Sequence, residues 1–131
     1  MEANEGRPVV GDRRNMLGVR TSGEVVDVTP DRDGNVEAGQ GMSVSNDWRK
    51  LPPMLIPMTY RRVVPAARGS ASGVVFSFED QSFESGHLTS RLFLRWDKGS
   101  HGLIEPETMM PIAEFQAALA ATQDRWHVVQ A

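Results

Sequence analysis

The 131-residue chain contains no cysteine, and this absence excludes three kinds of chemistry. Without thiols there is no disulfide bond, no thiolate nucleophile and no thiolate metal site. The three histidines, His87, His101 and His127, are far apart and form no HxH or HxxxH pair. The sequence therefore predicts no structural zinc site.

Long apolar runs and an excess of one sign of charge are absent as well. No apolar run approaches the ~20 residues that a membrane helix needs, and residues 1–14 lack the apolar stretch of a secretory signal. The formal net charge is only -3, which gives no reason to expect a general nucleic-acid binder. We therefore expect a soluble protein of the cytoplasm, with neither a membrane nor a nucleic acid as its partner.

The length and the distribution of apolar residues predict one domain. At ~100–150 residues per typical domain, the chain has no room for a second. Residues 1–15 are polar, so we expect a flexible N-terminal arm before a single domain over residues 16–131. Four of the eight prolines fall in residues 51–65, which predicts an extended, polyproline-like segment on the surface.

Short β-type runs and one helical pattern set the expected fold class. The predicted strands are residues 16–20, 24–28, 74–78, 87–96, 101–105 and 126–129. A helix is predicted from Pro111 to about Gln123, because Ile112, Phe115 and Leu119 form one apolar stripe. The aromatic residues expected in the core are Phe76, Phe78, Phe93, Trp96, Phe115 and Trp126. These patterns predict a compact, β-rich α+β domain with one C-terminal amphipathic helix.

Two segments contain residues suited to binding an anionic ligand. In residues 39–45, Gly41 allows a close backbone approach and Ser43 offers a hydroxyl for a ribose or phosphate, although the same pattern is typical of a turn entering an edge strand. Residues 48–78 carry five cations and no acid. That run, which includes Arg61 and Arg62, suits a pyrophosphate or a nucleic acid, but the more usual explanation of such a run is a solvated basic face.

A third segment, residues 101–107, offers groups for acid–base or electrostatic catalysis. Glu105 at a strand end is a candidate to stabilise an oxocarbenium-like centre or to orient a ribose hydroxyl, with His101 as its hydrogen-bond partner or as a base. The alternative is a polar strand end beside a helix-flanking acid, Glu107. Spacing alone assembles no serine–histidine–acid triad, so nothing in the sequence favours a hydrolase.

Two of these segments together resemble a family of small type VI secretion toxins. Residues 41–44 (GMSV) are similar to the family's Gly-Gly-Thr-Ser-Val-Phe segment, which is also followed by a proline-interrupted stretch like residues 51–53. His101, Ile104, Pro106 and Met110 fit a His-x-x-Ile-x-Pro-x-x-x-Met pattern before the C-terminal helix. The resemblance covers about half of the chain, and motifs of this length are moderately specific.

The resemblance implies an ADP-ribosyltransferase-like fold and an antibacterial, NAD-using toxin held off by a cognate immunity protein. It implies a site role for Ser43, although Met42 replaces the family's threonine, and it gives His101 a motif position. Arg20 is a candidate NAD-binding residue because this fold class often uses a polar residue on its first strand. Gly41, Arg61 and Arg62 complete the predicted NAD site, with Glu105 or His101 near the bond that breaks.

Three functions are therefore open from the sequence. The first is the NAD-using enzyme, which requires Ser43 and the stretch from His101 to line opposite walls of one crevice. The second is a non-catalytic protein-binding module, such as an accessory or immunity-like protein, that docks through exposed prolines and arginines. The third is RNA binding through residues 48–68, which the net charge of -3 disfavours.

Overall fold

The computed structural model of the chain describes residues 1–13, 15–79 and 84–130. Within them the strands are β1 Ala3–Asn4, β2 Arg7–Pro8, β3 Asn35–Val36, β4 Met42–Ser45, β5 Phe76–Phe78, β6 Gly86–His87, β7 Leu92–Lys98, β8 His101–Pro106, β9 Met110–Pro111 and β10 Trp126–Val128. One α-helix of the described residues, α1, covers Ile112–Ala120. The domain is therefore α+β, strand-rich with one helix, as the sequence predicts.

The largest sheet is antiparallel, with strand order β4-β8-β7-β6. Its register pairs Ile104 of β8 with Met42 on one side and with Leu94 on the other. Because side chains alternate along a strand, these three apolar residues share one face of the sheet. The smaller pairs are β1–β2, β3–β9 and β5–β10, and in the last of these Trp126 lies opposite Phe78.

The main hydrophobic core contains that apolar sheet face, the β5–β10 pair and the buried side of α1. Its buried members are Leu17, Val19, Val28, Val36, Met42, Phe76, Phe78, Leu92, Leu94, Ile104, Met110, Phe115, Leu119 and Trp126. A second, smaller cluster consists of Ile56, Tyr60, Ala67 and Val75. Of the aromatic residues expected in the core, Trp96 is partly buried against the main cluster, whereas Phe93 lies on the other sheet face against His87.

The two strands predicted at residues 16–20 and 24–28 are wrong. Leu17 forms only an isolated bridge with Val10, and the backbone from Arg20 to Val28 closes a loop in which both Asp27 N and Val28 N donate to Arg20 O. Gly18, at a φ of 149°, leaves the β region before a strand can extend. The apolar side chains still enter the core, which explains the strand-like pattern.

The extended segment predicted at residues 51–65 is also wrong. The chain there forms 3₁₀ turns at Pro53–Leu55 and Met58–Tyr60, after a first turn at Trp48–Lys50. Proline suits the start of such turns because its missing donor is not needed there. The turns bury Ile56 and Tyr60, which a fully solvated segment would leave exposed.

The two ends of the described chain differ in detail from the expectations. In residues 1–15, predicted as a flexible arm, β1 pairs with β2, Pro8 is buried and Pro8 O accepts from Gln123 Nε2 at 2.8 Å. In the described part of this segment, Pro8 therefore contacts the body of the domain. The helix begins one residue after Pro111 and ends at Ala120, three residues earlier than predicted; Ala121 and Thr122 form a turn, and a separate 3₁₀ turn follows at Gln123–Arg125.

Candidate functional site

A cleft of about 720 Å³ opens along the apolar face of the large sheet. On that side it is bounded by Met42, Leu94 and Ile104, and Phe76 and Phe78 of β5 also line it. Its volume lies within the ~300–1,000 Å³ typical of ligand pockets. The cleft therefore has the size and the apolar walls of a site for a small organic ligand.

All three tryptophans of the chain line this cleft: Trp48, Trp96 and Trp126. Trp126 packs edge-on against Phe78 with centroids 5.0 Å apart, and its indole Nε1 donates to Thr122 Oγ1 at 3.0 Å. Trp48 packs edge-on against Tyr60 at 5.4 Å. Trp126 is only 6% exposed, so the accessible aromatic surface of the cleft comes from the partly buried Trp48 and Trp96.

Arg20 brings a cation to the same cleft. Its Nε and Nη2 donate to the Asp27 carboxylate at 3.2 and 3.4 Å, and its backbone nitrogen donates to Asp27 Oδ2 at 2.7 Å. A guanidinium has five N–H donors, so further donors of Arg20 remain beyond these two side-chain bonds. Asp27 thus fixes the guanidinium at the cleft without using its full capacity.

A second arginine–aspartate pair lines the cleft at the end of β4. Asp47 accepts from Arg49 Nε at 3.0 Å, and this hydrogen bond lowers the pKa of the Asp47 carboxyl. Ser45 Oγ donates to Asp47 O at 2.8 Å and accepts from Asp47 N at 3.2 Å, which turns the chain into the Trp48–Lys50 turn. The lining is therefore apolar and aromatic inside with paired charges at its borders.

Ser43 lies on β4, the terminal strand of the large sheet. Ser43 is exposed and contributes to the lining of the cleft. In the described part of the chain no further strand pairs with the outer edge of β4, so its backbone donors and acceptors face outward. Because Ser43 pairs with Leu103, its side chain lies on the sheet face opposite Met42 and Ile104, and Ser43 borders the cleft at this outer edge.

Glu105 lies on the sheet face opposite the apolar one and does not line the cleft. Its side chain is buried, and Oε2 accepts from Arg95 Nη2 at 3.0 Å and from the backbone nitrogen of Gly39 at 3.0 Å. This carboxylate therefore ties the turn that precedes β4 to the two central strands. Its structural partners hold it away from the cleft.

His101 is exposed at the start of β8, where its Nδ1 lies 2.7 Å from Asp97 Oδ1. This hydrogen bond lowers the pKa of the Asp97 carboxyl. The register places His101 directly opposite Ser45, on the same sheet face as Glu105. His101 and Glu105 thus share this face with the side chain of Ser43, but of the three only Ser43, on the terminal strand, contributes to the lining of the cleft.

The remaining predicted NAD-binding residues also lie outside the cleft lining. Arg61 and Arg62 are exposed beyond the Met58–Tyr60 turn, and Arg61 Nε donates to Ala67 O at 2.9 Å. Gly41 is buried, and a Cβ there would collide with the carbonyl oxygen of Ile104. Its missing side chain lets β8 approach, a packing reason independent of any ligand.

The expectation that two segments line opposite walls of a crevice is wrong. Ser43 pairs directly with Leu103, so residues 42–45 and 101–104 are neighbouring strands of one sheet. Neighbouring strands lie only ~5 Å apart and leave no space between them. Of the predicted site residues, the cleft brings together Arg20 and Ser43.

Sequence reasoning missed several residues of this cleft. The sequence around Asp27 does not indicate that it pairs with Arg20, because the ion pair forms across a loop that the sequence pattern predicts as two strands. Trp96 and Trp126 read as core residues, and they do pack in the core while lining the cleft with their remaining surface. An aromatic side chain on a strand gives no indication of which part of it stays accessible.

Comparison of the chain with protein-family models, with curated proteins and with solved structures found no match. Among the described residues no group of three His, Asp or Glu side chains is placed to hold a metal ion. No helix in that part of the chain has the length and apolar character needed to cross a bilayer.

Proposed function

We propose that the cleft binds NAD and that the protein is a small ADP-ribosyltransferase-like toxin acting in the bacterial cytoplasm. One observation carries the proposal. Arg20 and Ser43 are two residues suggested for NAD on separate sequence grounds, and both line one aromatic-walled cleft. The resemblance of residues 41–44 and 101–110 to type VI secretion toxins supplies the activity, and a cognate immunity protein as partner.

The residues of the cleft fit a dinucleotide. The volume of about 720 Å³ is sufficient for a ligand of that size, and the partly exposed indoles of Trp48 and Trp96 offer surfaces for its two ring systems. The remaining donors of Arg20 suit a pyrophosphate, because guanidinium donors pair with phosphate oxygens. NAD supplies the activated ADP-ribosyl group itself, so the protein has to bind and orient it.

Each chain residue then has a stated task. Arg20, held by Asp27, binds the pyrophosphate, and Ser43 with the outer edge of β4 orients a ribose. Preorganised donors of this kind stabilise developing charge without a strong nucleophile. The catalytic role predicted from sequence for Glu105 and His101 has a separate test: replacing either residue should lower the activity without changing the stability of the protein.

The decisive experiment is a calorimetric NAD titration together with tryptophan fluorescence. We expect saturable binding with a change in fluorescence, and Arg20→Ala should weaken binding about tenfold, the usual cost of a charged contact. Arg32→Ala is the matched control, since Arg32 is exposed outside the cleft. A flat titration of the folded wild-type protein would refute the NAD-binding proposal.

A growth assay tests the toxin itself. Expression of the wild-type chain inside a bacterium should arrest growth, and Ser43→Ala should relieve the arrest. A thermal unfolding curve of the purified Ser43→Ala protein verifies that the loss is not one of folding. Retained toxicity in the folded variant would remove Ser43 from the mechanism.

A protein-binding module without catalysis is the second candidate. The observation that favours it is the exposure of apolar side chains in the proline-rich segment, such as Met54 and Leu55. This candidate predicts no NAD binding and protection of that segment in a complex.

A further inference from the structure

The segment after the Trp48–Lys50 turn exposes several large apolar side chains, which is unusual for a loop that only faces solvent. Eight large apolar residues of the described chain are at least 40% exposed, and four of them lie within residues 54–63. These four are Met54, Leu55, Met58 and Val63. We refer to them, with Arg61 and Arg62 beside them, as the 54–63 surface. Exposed apolar side chains gathered in one segment are typical of an interaction site.

The 54–63 surface is held in place by a core of its own. Ile56, Tyr60 and Ala67 point inward and are almost fully buried. Tyr60 Oη donates to Val129 O at 2.7 Å and accepts from Val75 N at 3.0 Å. The inward positions are therefore filled, and the four outward apolar residues have no role in that core.

The charge around this surface has one sign. Residues 48–78 contain Arg49, Lys50, Arg61, Arg62 and Arg68 and no acidic residue. Arg49 is paired with Asp47, whereas Arg61 and Arg62 are exposed beside Val63. Since the net charge of the chain is -3, this segment is a local cationic region in an otherwise acidic protein.

Two members of the 54–63 surface, Leu55 and Val63, also line the cleft. They are 45% and 46% exposed, so they form part of its mouth. A partner seated on the surface would therefore cover the entrance of the cleft.

We propose that the 54–63 surface docks an acidic protein segment carrying apolar side chains, and that this partner closes the mouth of the cleft. The apolar side chains insert among Met54, Leu55 and Met58, and carboxylates pair with Arg61 and Arg62. Complementary charge speeds association and selects the partner, while buried apolar contacts supply affinity. The closing of the cleft rests on the proposed NAD function, whereas the docking does not.

The test uses two synthetic amphipathic peptides that differ only in charge: one with leucines and glutamates, the other with the same leucines and lysines. Fluorescence anisotropy with the full chain should give at least about tenfold tighter binding of the acidic peptide at low salt. The double variant Met54→Asp, Met58→Asp should weaken this binding about tenfold, since both changes add like charge to an apolar contact. The matched control is the double variant Val26→Asp, Met109→Asp, which adds the same two charges at residues that are 45% and 55% exposed and lie outside the segment.

Equal binding of both peptides would overturn the docking proposal, and so would equal effects of the Met54/Met58 and Val26/Met109 variants. A third contrary result is tighter binding of a single-stranded oligouridylate than of the acidic peptide, with an affinity that the Met54 and Met58 substitutions leave unchanged. The last result would identify a nucleic-acid surface. Met54 and Met58 do not line the cleft, so their variants leave the proposed NAD site intact.

Closing of the cleft is tested by titrating NAD with and without saturating acidic peptide. Weaker NAD binding in its presence supports the closing, and unchanged NAD binding refutes it. If the wild-type chain alone binds no NAD, the proposed function fails, while the peptide measurements still decide the docking.

Discussion

Gly41 shows how a single missing side chain sets the position of a strand. The carbonyl of Ile104 occupies the space in which a Cβ of residue 41 would stand, so β8 can approach the start of β4 only at a glycine. Next to it, the buried Glu105 carboxylate binds Gly39 N and Arg95. The turn before Ser43 is therefore positioned from both sides by contacts with β8.

Gly41→Ala should destabilise the domain by about 1–3 kcal/mol, because the added methyl group meets backbone that can only move as a strand. The measurement is the free energy of unfolding in urea. Gly86→Ala is the control, since Gly86 lies on β6 of the same sheet and has open space at its Cβ position, and it should change stability by less than about 0.5 kcal/mol. Equal effects of both changes would contradict this packing explanation.

Helix α1 positions the segment that carries Arg20. Gln116 on the helix accepts from Val19 N at 3.0 Å and donates to Val19 O at 2.7 Å, which replaces the ladder bonds that a strand partner would provide. Phe115 and Leu119 bury the helix against the core. The helix therefore fixes the backbone next to the cleft as well as filling the interior.

Gln116→Ala should release Val19 and raise the hydrogen-exchange rate of its amide by about tenfold or more, since a buried donor loses its partner. Gln40 offers a matched control, because its side-chain amide makes the same pair of bonds to Thr29. Gln40→Ala should speed exchange at Thr29 and leave Val19 unchanged. Unaltered exchange at Val19 in the Gln116 variant would show that α1 does not support this wall.

Charge pairs spread over the molecule link its stability to acid. Hydrogen bonds lower the pKa of three carboxyl groups in the folded state: Asp47 through Arg49, Glu79 through Arg125, and Asp97 through His101. The unfolded chain therefore binds these protons at higher pH than the folded chain. Their contribution to stability is complete above the ordinary values of 3.8 for Asp and 4.5 for Glu, and it is lost as the pH falls through the lowered values.

Thermal unfolding followed by circular dichroism should therefore give a midpoint that falls below about pH 4.5. Glu79→Gln should reduce the fall, since Arg125 keeps a hydrogen-bond partner but the titrating group is removed. A midpoint that rises on acidification, or a variant with the wild-type pH profile, would contradict the role of these pairs.

The sequence correctly predicted those elements in which the spacing of apolar residues matches the backbone hydrogen bonding of a strand or a helix. β8 follows from the strand predicted at residues 101–105, and the apolar stripe of residues 112–119 predicted α1. The single strand predicted at residues 87–96 is wrong: Leu88 N donates to Leu92 O, and the turn between them divides the segment into β6 and β7, which pair with each other. The prediction failed at residues 16–28, where apolar side chains enter the core but the backbone partner is a glutamine 97 positions along the chain.

The sequence by itself determined the α+β class, the central hairpin, the helix and most of the aromatic core, because these depend on side-chain periodicity over a few residues. Only the tertiary structure decided that Arg20, Ser43 and the three tryptophans meet at one cleft and that Glu105 is buried beside Arg95. Strand order and loop closure bring these residues together from distant parts of the chain. A short stretch of sequence cannot predict such contacts.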